Sequence, residues 1–233
     1  MELQNSTVLV TGATGNMGPY VTDVLVDRGA DVVGTYVTDS SRGSVEDRAE
    51  YADAVSYHQV DLTDQTATES LAETVADEYG EVDHIVGLAG GFSMGGIDDT
   101  DGDAFRAALD RHATTAFLTV KAFADHLDKH SGIVLFSSDR AIDAMAGTLA
   151  YNVGKGAVRT LTESLDVELD ARVNAIAPFL IDVPGNREAM PDADFSEWTA
   201  PESIVDEVLH LLSNRGVTGQ VVQMTGGQPE REE

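Results

Sequence analysis

Apolar residues follow two alternating patterns along the chain. Short unbroken runs of Val, Ile and Leu, typical of strands buried on both faces of a sheet, are separated by longer segments whose apolar residues recur at helical spacing. The runs predict seven strands, at Thr7–Val10, Val32–Tyr36, Val55–Val60, His84–Ala89, Gly132–Ser137, Val173–Ala177 and Gln220–Met224. The longer segments predict helices near Gly18–Arg28, Gln65–Tyr79, Asp103–Lys129, Ala150–Leu169 and Ala200–Leu212.

This alternation is typical of βαβ units, so we predict a doubly wound α/β fold with a parallel, seven-stranded Rossmann-type sheet. The length of 233 residues suits a single domain covering 1–233. The capping box Thr199-Ala200-Pro201-Glu202 predicts where the last helix begins. Two long loops, Gly90–Gly102 and 178–199, follow strand carboxyl ends, where ligands bind in such sheets. We interpret 178–199 as a substrate loop.

Composition excludes several classes of protein. Forty-one acidic and 14 basic residues give a net charge of −27, which repels nucleic acid and anionic membranes. Cysteine is absent, so disulfides and thiolate metal sites are excluded. No apolar run reaches the ~20 residues of a membrane helix, and Met1–Asn5 lacks signal-peptide features, so we expect a cytoplasmic protein. Because the acids are spread along the chain, we predict a halophilic protein whose self-repulsion is screened by molar salt.

A glycine-rich turn lies between the first strand and the first helix. Glycine lets a backbone approach a pyrophosphate closely, and the phosphate charge then faces the helix N-terminus. The alternative is an ordinary strand-to-helix turn. The candidate nucleotide-binding residues of this turn are Gly12, Thr14, Gly15, Asn16, Met17 and Gly18. Asp61, which precedes Leu62 at the end of the third strand, either accepts a hydrogen bond from an adenine or caps a helix.

A tyrosine and a lysine, Tyr151 and Lys155, stand one helical turn apart, and Ser138 precedes the tyrosine by 13 residues. A nearby cation stabilises a phenolate, so we expect the pKa of Tyr151 to fall towards neutrality. Such a residue can protonate a substrate oxygen while a nicotinamide supplies hydride. Together with the glycine-rich turn, this pattern predicts a dinucleotide-dependent reductase.

Five motifs in a fixed order carry a resemblance to a known family. They are Thr11-Gly12-x-x-Gly15-x-x-Gly18, Leu88-Ala89-Gly90-Gly91, Phe136-Ser137-Ser138, Tyr151-x-x-x-Lys155 and Arg172-Val173-Asn174-Ala175-Ile176-Ala177-Pro178. From Thr7 to Gly227 the chain resembles a short-chain dehydrogenase/reductase. The resemblance implies that Tyr151 is the catalytic acid, that Ser138 holds the substrate oxygen, and that Lys155 binds the nicotinamide ribose.

The resemblance also implies a cofactor cleft and an assembly. The cleft is expected to include Asp61, Leu62, Ala89, Gly90, Gly91, Pro178, Phe179 and Leu180. Members of the family assemble through the helices that correspond to Asp103–Lys129 and Ala150–Leu169, so a homodimer or homotetramer is expected.

Several positions depart from the family pattern. His112 stands where the family usually has an asparagine. It either takes over a proton relay or is a buried structural residue. Its spacing places it on the inward face of its helix. Phe179 replaces a glycine after Pro178. These departures, with Val82–Ile85, Ala89–Phe92 and Asn186–Thr199, resemble the dihydropteridine reductase branch, which typically lacks the serine present here as Ser138. We expect an apolar pocket for a flat ring, lined by Phe92, Met94, Phe179, Met190 and Trp198.

The predicted function is hydride transfer between NAD(P) and a carbonyl or quinonoid dihydropterin substrate. A 3-oxoacyl or sugar reductase and a non-catalytic NAD(P)-binding regulator are the alternatives. Tyr36 and Val37 occupy the place of the acid that signals NAD. A 2′-phosphate could be surrounded by Thr38, Ser40, Ser41 and Arg42, which favours NADP. No metal site is predicted: solvent exposure explains His126 and His130, and the acidic run Asp98–Asp103 does not fit a calcium loop.

Overall fold

The computed structural model describes residues 3–43, 45 and 50–227, so Met1 and Glu2 of the N-terminal segment and 228–233 of the predicted domain lie outside it. In this part of the chain a seven-stranded sheet has the order β3-β2-β1-β4-β5-β6-β7, and every pair of neighbours is parallel. The strands are β1 Thr7–Thr11, β2 Asp31–Tyr36, β3 Val55–Gln59, β4 His84–Gly87, β5 Gly132–Phe136, β6 Arg172–Pro178 and β7 Val221–Met224. The predicted fold class is confirmed.

Helices cover both faces of the sheet. Over the described ranges they are α1 Gly18–Asp27, α2 Asp39–Gly43, α3 Gln65–Tyr79, α4 Gly102–Leu109, α5 Thr115–Phe123, α6 Leu149–Glu168, α7 Pro184–Ala189 and α8 Pro201–Ser213. The short helices α2 and α7 lie in segments for which the apolar pattern predicts no element. The strand order reverses between β1 and β4, which is the switch point where such sheets bind ligands at their carboxyl ends.

Strands β1, β2, β4, β5 and β6 contribute to two cores because successive side chains point to opposite faces. On one face, Val8 and Val10 pack in a cluster with residues of α1 and α8. On the other, Leu9 packs in a cluster with residues of α3, α5 and α6. The unbroken apolar runs in the sequence reflect this double burial.

The predicted helix Asp103–Lys129 is confirmed as a helical stretch from Gly102 to His126, but it is not α-helical throughout. A π-helical segment, Asp110–Thr114, separates α4 from α5, and the last turn at Ala124–His126 is a 3₁₀ helix. Directly after the segment, the hydroxyl of Thr115 donates to the carbonyl oxygens of Arg111 at 2.8 Å and His112 at 3.2 Å. Sequence periodicity does not reveal a π segment because the apolar residues still recur every three to four positions.

The predicted capping box at α8 is wrong. Ala200 is the N-cap residue and makes no side-chain cap, and Pro201 supplies the first helical turn with a fixed φ. Thr199 is instead buried, its backbone N–H donating to Leu180 at 2.7 Å and its hydroxyl to Met224 at 3.4 Å. These bonds attach the end of the substrate loop to the base of the loop and to β7.

Candidate active site

The glycine-rich turn packs directly on the segment that follows β4. Gly12 has φ +65°, and a Cβ there would lie 2.9 Å from the backbone of Ala89. A Cβ on Gly18 would lie 1.8 Å from the carbonyl oxygen of Ala13. No side chain fits at either position. The turn requires glycine at Gly12 for its backbone conformation and at Gly18 for close packing.

The start of α1 offers free donors. Met17 is the N-cap residue, and within the described residues neither its backbone N–H nor that of Asn16 donates a hydrogen bond. Amides at a helix N-terminus, together with the helix dipole, favour a phosphate group. The residues present therefore fit the pyrophosphate of a dinucleotide.

Ser138, Tyr151 and Lys155 lie together where β5 meets α6. Ser138 is buried and follows β5, and Tyr151 and Lys155 occupy the first two turns of α6. The Ser138 and Tyr151 side chains are close enough for the serine hydroxyl to lower the pKa of the phenol. The ammonium Nζ of Lys155 donates to the carbonyl oxygen of Phe136 at 2.7 Å, and the hydroxyl of Ser137 donates to the carbonyl oxygen of Lys155 at 2.9 Å. These bonds fix α6 against the end of β5.

The expected lowering of the tyrosine pKa is wrong for the chain by itself. Burial raises the pKa of Tyr151 above its ordinary value, and the hydroxyl of Ser138 and the charge of Arg140 offset only part of that effect. Burial also lowers the pKa of Lys155 to about 8. Desolvation disfavours the charged form of each group, so at neutral pH the phenol keeps its proton.

His112 lies on the inward face of the π-helical segment, as its spacing predicts. Its side chain is buried, and its ring lies edge-on to that of Tyr151 with the centroids 5.5 Å apart. No hydrogen bond from a described residue reaches Nδ1. The pKa of His112 is lowered to about 3, chiefly by burial and then by the charges of Lys155 and Arg111, while a backbone group of Gly91 acts in the opposite direction. The imidazole is therefore neutral at physiological pH.

The loop after β4 places two apolar residues at the mouth of the site. Phe92 is 59% exposed, yet its ring stands edge-on to Tyr151 at 5.0 Å between centroids. Met94 is also exposed. Gly95 anchors the loop, its backbone N–H donating to Gly147 at 2.7 Å and its carbonyl accepting from Leu149 at 3.0 Å. The loop is thus held against the start of the helix that carries Tyr151.

The substrate loop contributes less to the site than the sequence suggests. Trp198 is buried, and its ring packs edge-on against Phe195 at 4.8 Å. Met190 is half-buried and ends α7. Among the described residues, no ring contact joins Trp198 to Tyr151. Trp198 therefore supports the loop from within.

The end of β6 carries the predicted cofactor-lining residues Pro178, Phe179 and Leu180. Pro178 is buried, and the backbone N–H of Phe179 donates to Met224 on β7 at 2.8 Å. The Arg140 guanidinium carbon lies 5.1 Å from the centroid of the Phe179 ring. Sequence reasoning missed Arg140, whose only signal was its place two residues after Ser138.

Asp61 is exposed at the end of β3 and does not cap a helix. One of its carboxylate oxygens, Oδ1, accepts from the backbone N–H of Thr63 at 2.9 Å and from its hydroxyl at 2.6 Å. Asp64 caps α3 by accepting from Ala67 at 3.1 Å. Asp61 is therefore exposed just after the carboxyl end of β3, with a role in cofactor binding that stays a prediction.

The residues expected around a 2′-phosphate form one turn after β2. The hydroxyls of Thr38 and Ser40 lie 3.1 Å apart, and that of Ser41 donates to Thr38. The Arg42 guanidinium lies 4.2 Å from the centroid of the Tyr57 ring. The described residues contain no cluster of three His, Asp or Glu side chains that could hold a metal ion, His126 and His130 included.

A doubly wound sheet with a glycine-rich turn at its switch point and a Ser-Tyr-Lys cluster beside it defines a nucleotide-dependent oxidoreductase. A family model described as enoyl-(acyl carrier protein) reductase matches residues 12–228. The chain belongs to the short-chain dehydrogenase/reductase family and is an NAD(P)-dependent oxidoreductase. The alternative of a non-catalytic regulator is thereby set aside.

Known relatives match over nearly their full length. A 2,3-dihydroxy-2,3-dihydro-p-cumate dehydrogenase of Pseudomonas putida is 26% identical, with 97% of this chain and 95% of the relative covered. A trans-4-hydroxycyclohexanecarboxylate dehydrogenase of Sinomonas cyclohexanicum is also 26% identical, with 94% and 91% covered. The crystal structure of an NAD⁺-bound xylitol dehydrogenase superposes with a TM-score of 0.86 at 21% identity, covering 97% of this chain and all of the other, and supports the fold.

None of the helices in the described ranges is both long enough and apolar enough to cross a membrane.

Proposed function

We propose that this chain catalyses reversible hydride transfer between NAD(P) and a carbonyl compound or secondary alcohol, with Ser138, Tyr151 and Lys155 as its catalytic group. The observation that carries the proposal is the meeting of these three residues at the carboxyl end of β5, beside the switch point of the sheet. Ser138 at the end of β5 meets Tyr151 and Lys155 of α6 at the edge of the sheet where the fold places its ligands.

The chain's own residues hold the cofactor and the substrate. The amides of Asn16 and Met17 bind the pyrophosphate, and Asp61 accepts from the adenine. The cofactor, when bound, supplies the hydride that forms the new C–H bond. Ser138 donates a hydrogen bond to the carbonyl oxygen, and the phenol of Tyr151 gives that oxygen its proton. Because the hydroxyl groups of Ser138 and Tyr151 both donate to the same substrate oxygen, two hydrogen bonds orient the carbonyl before it reacts.

The raised pKa of Tyr151 suits the reductive direction because the phenol holds its proton at neutral pH. Lys155 is fixed by its bond to Phe136, from which the ammonium can also reach a ribose hydroxyl. The neutral ring of His112, packed against Tyr151, restricts the orientation of the phenol. Oxidation of an alcohol requires the reverse proton transfer and is therefore favoured at higher pH.

A ring-shaped carbonyl compound is the substrate class that we favour. Phe92 and Met94 provide an exposed apolar edge next to Tyr151. The Pseudomonas and Sinomonas relatives are named for hydroxylated ring compounds, which supports the same class here. A quinonoid dihydropterin is the second candidate, favoured by the sequence of the loop Asn186–Thr199, whereas Ser138 favours ordinary carbonyl chemistry.

We further propose that the cofactor is NADP and that the protein acts as a homodimer or homotetramer. The polar turn Thr38–Arg42 follows β2, and Val37 rather than an acid occupies the place that signals NAD. The exposed faces of α5 and α6 carry Phe117, Val153 and Val167, which are apolar and suit contact with a second copy.

The test is oxidation of NADH and NADPH in molar KCl with cyclic ketones, 3-oxoacyl thioesters, sugars and a quinonoid dihydropterin. Turnover of ketones that is lost in Tyr151→Phe supports the proposal. Efficient turnover of the dihydropterin alone would assign the second candidate. Ketone turnover that persists unchanged in Tyr151→Phe would show that the proton comes from another group.

A further inference from the structure

Arg140 lies beside Ser138 and Phe179 in a chain that carries 41 acidic and only 14 basic residues. Its backbone N–H donates to the Ser138 hydroxyl oxygen at 3.2 Å, so it belongs to the same turn as a catalytic residue. Its guanidinium lies over the Phe179 ring at 5.1 Å. Only 23% of the side chain is exposed. The cation is therefore held between the catalytic turn and the end of β6.

The guanidinium of Arg140 has no hydrogen bond to any described residue, although it carries five N–H donors. Arg172 shows how this chain otherwise buries a guanidinium: it donates to the carbonyl oxygens of Leu211 at 2.6 Å and Leu212 at 2.8 Å, at the end of α8. In the described part of the chain the guanidinium makes an ion pair with Asp139 at 3.8 Å but no hydrogen bond, and a largely buried charged group with unused donors is costly. The donors of Arg140 are therefore available to a ligand.

The neighbouring carboxylate does not occupy these donors. Asp139 Oδ2 lies 3.8 Å from Nη1 of Arg140, beyond hydrogen-bond distance, and Oδ1 accepts from the Gln223 amide at 2.5 Å. Arg140 also acts on the catalytic tyrosine, since its charge lowers the pKa of Tyr151 against the raising effect of burial. The guanidinium is thus within electrostatic reach of the reacting group.

We propose that Arg140 binds a carboxylate carried by the substrate while Ser138 and Tyr151 engage the carbonyl or hydroxyl group of the same molecule. This inference rests on the proposed function and narrows its substrate to oxo acids and hydroxy acids. Phe179 contacts one face of the planar guanidinium. The N–H groups at the edge of the guanidinium are therefore free to donate to the two oxygens of a carboxylate. In a strongly acidic protein, a cation at this place in the cleft, in addition to Lys155, attracts an anion that the rest of the surface repels.

Binding tests the proposal without any turnover. Cyclohexanecarboxylate and cyclohexanecarboxamide are titrated by calorimetry into the wild-type protein in the presence of NADP⁺. The KCl concentration is the lowest that preserves the circular-dichroism spectrum of the protein, because chloride competes for a guanidinium. The wild type is expected to bind the carboxylate about 10- to 100-fold more tightly than the amide, the range for a charge-assisted hydrogen-bonded pair. Arg140→Gln is expected to abolish this preference. Arg140→Lys should keep part of it, and Arg106→Gln, which removes an exposed charge on α4, should keep all of it.

Equal binding of both compounds by the wild type, or an equal loss for both in Arg140→Gln, would overturn the proposal and leave Arg140 a structural role. Kinetics with 4-oxocyclohexanecarboxylate and its methyl ester separate this inference from the proposed function. Turnover of acid and ester with the same kcat/KM would refute the carboxylate site alone. Carboxylate binding that depends on Arg140, without turnover of any ketone, would refute the proposed function and retain the site.

Discussion

Replacement of His84 by asparagine is expected to flatten the decline of stability on acidification. His84 begins β4 and is buried, and its Nδ1 accepts from the backbone N–H of Gly132 on β5 at 3.0 Å. An asparagine can present its carboxamide oxygen to the same N–H but does not titrate. The substitution therefore removes the protonation equilibrium while keeping the hydrogen bond that joins the two strands.

The expected magnitude follows from the pKa of His84, which is lowered from 6.5 to about 4, first by burial, with the charge of Arg172 acting in the same direction and that of Asp83 opposing. The unfolded chain takes up a proton near pH 6.5, whereas the folded chain does so only near pH 4. The stabilisation is therefore complete above pH 6.5 and is lost as the pH falls through about 4. At ~1.4 kcal/mol per pH unit, acidification from pH 7 to pH 4 costs about 3 kcal/mol through this residue.

The assay is urea unfolding followed by circular dichroism at pH 7, 6, 5 and 4, in a constant KCl concentration. The quantity compared is the change in unfolding free energy between pH 7 and pH 4 for wild type and for His84→Asn. A constant offset between the two proteins reports lost packing, and only a change in slope reports titration. His130→Asn, at an exposed position, is the control and should follow the wild-type slope.

Parallel curves for wild type and His84→Asn between pH 6.5 and pH 4 would refute the reasoning, because they would mean that His84 is not held neutral in the fold. Carboxylates remote from both histidines titrate equally in all three proteins, so they cancel in the differences. His112 contributes in the same direction, since its pKa is lowered to about 3 by burial. A residual slope in His84→Asn is therefore expected.

Four further results are expected. Tyr151→Phe lowers kcat by orders of magnitude with little change in cofactor affinity by fluorescence titration; a retained kcat contradicts its role as proton donor. Arg42→Ala raises the dissociation constant of NADPH more than that of NADH, and an equal loss for both contradicts a 2′-phosphate site. On α6, Gly154→Ala lowers the melting temperature because the new Cβ would lie 2.8 Å from the His112 ring, at a cost of about 1–3 kcal/mol. In contrast, Gly156→Ala adds its Cβ in open space and raises the melting temperature by ~2–4 °C. Removal of molar KCl lowers activity and stability, and unchanged behaviour contradicts a halophilic protein.

The fold could be predicted from the sequence to a large extent because its cause is local. Strands buried on both faces must be apolar throughout, and this requirement appears directly as unbroken runs such as Val8–Val10. The glycine-rich turn could be placed for the same reason, since Gly12 and Gly18 stand where no side chain fits. The order and spacing of Ser138, Tyr151 and Lys155 indicated the catalytic cluster before any contact was known.

The properties that the sequence did not predict depend on contacts between distant segments. The π-helical segment that carries His112 packs together with α4 against α6. The pKa of Tyr151 rises because burial outweighs the Ser138 hydroxyl and the nearby charge, and the balance of these effects cannot be read from the spacing to Lys155.

By itself, the sequence determined the alternation of strands and helices and the glycine-rich turn, and it picked out Ser138, Tyr151 and Lys155 as a group, because each depends on residue type at a fixed spacing. Only the tertiary structure decided that Trp198 is buried against Phe195 and that Arg140 lies over Phe179 beside Ser138. The physical reason is that a side chain's charge state and available donors depend on how much water the fold removes and which partners it supplies.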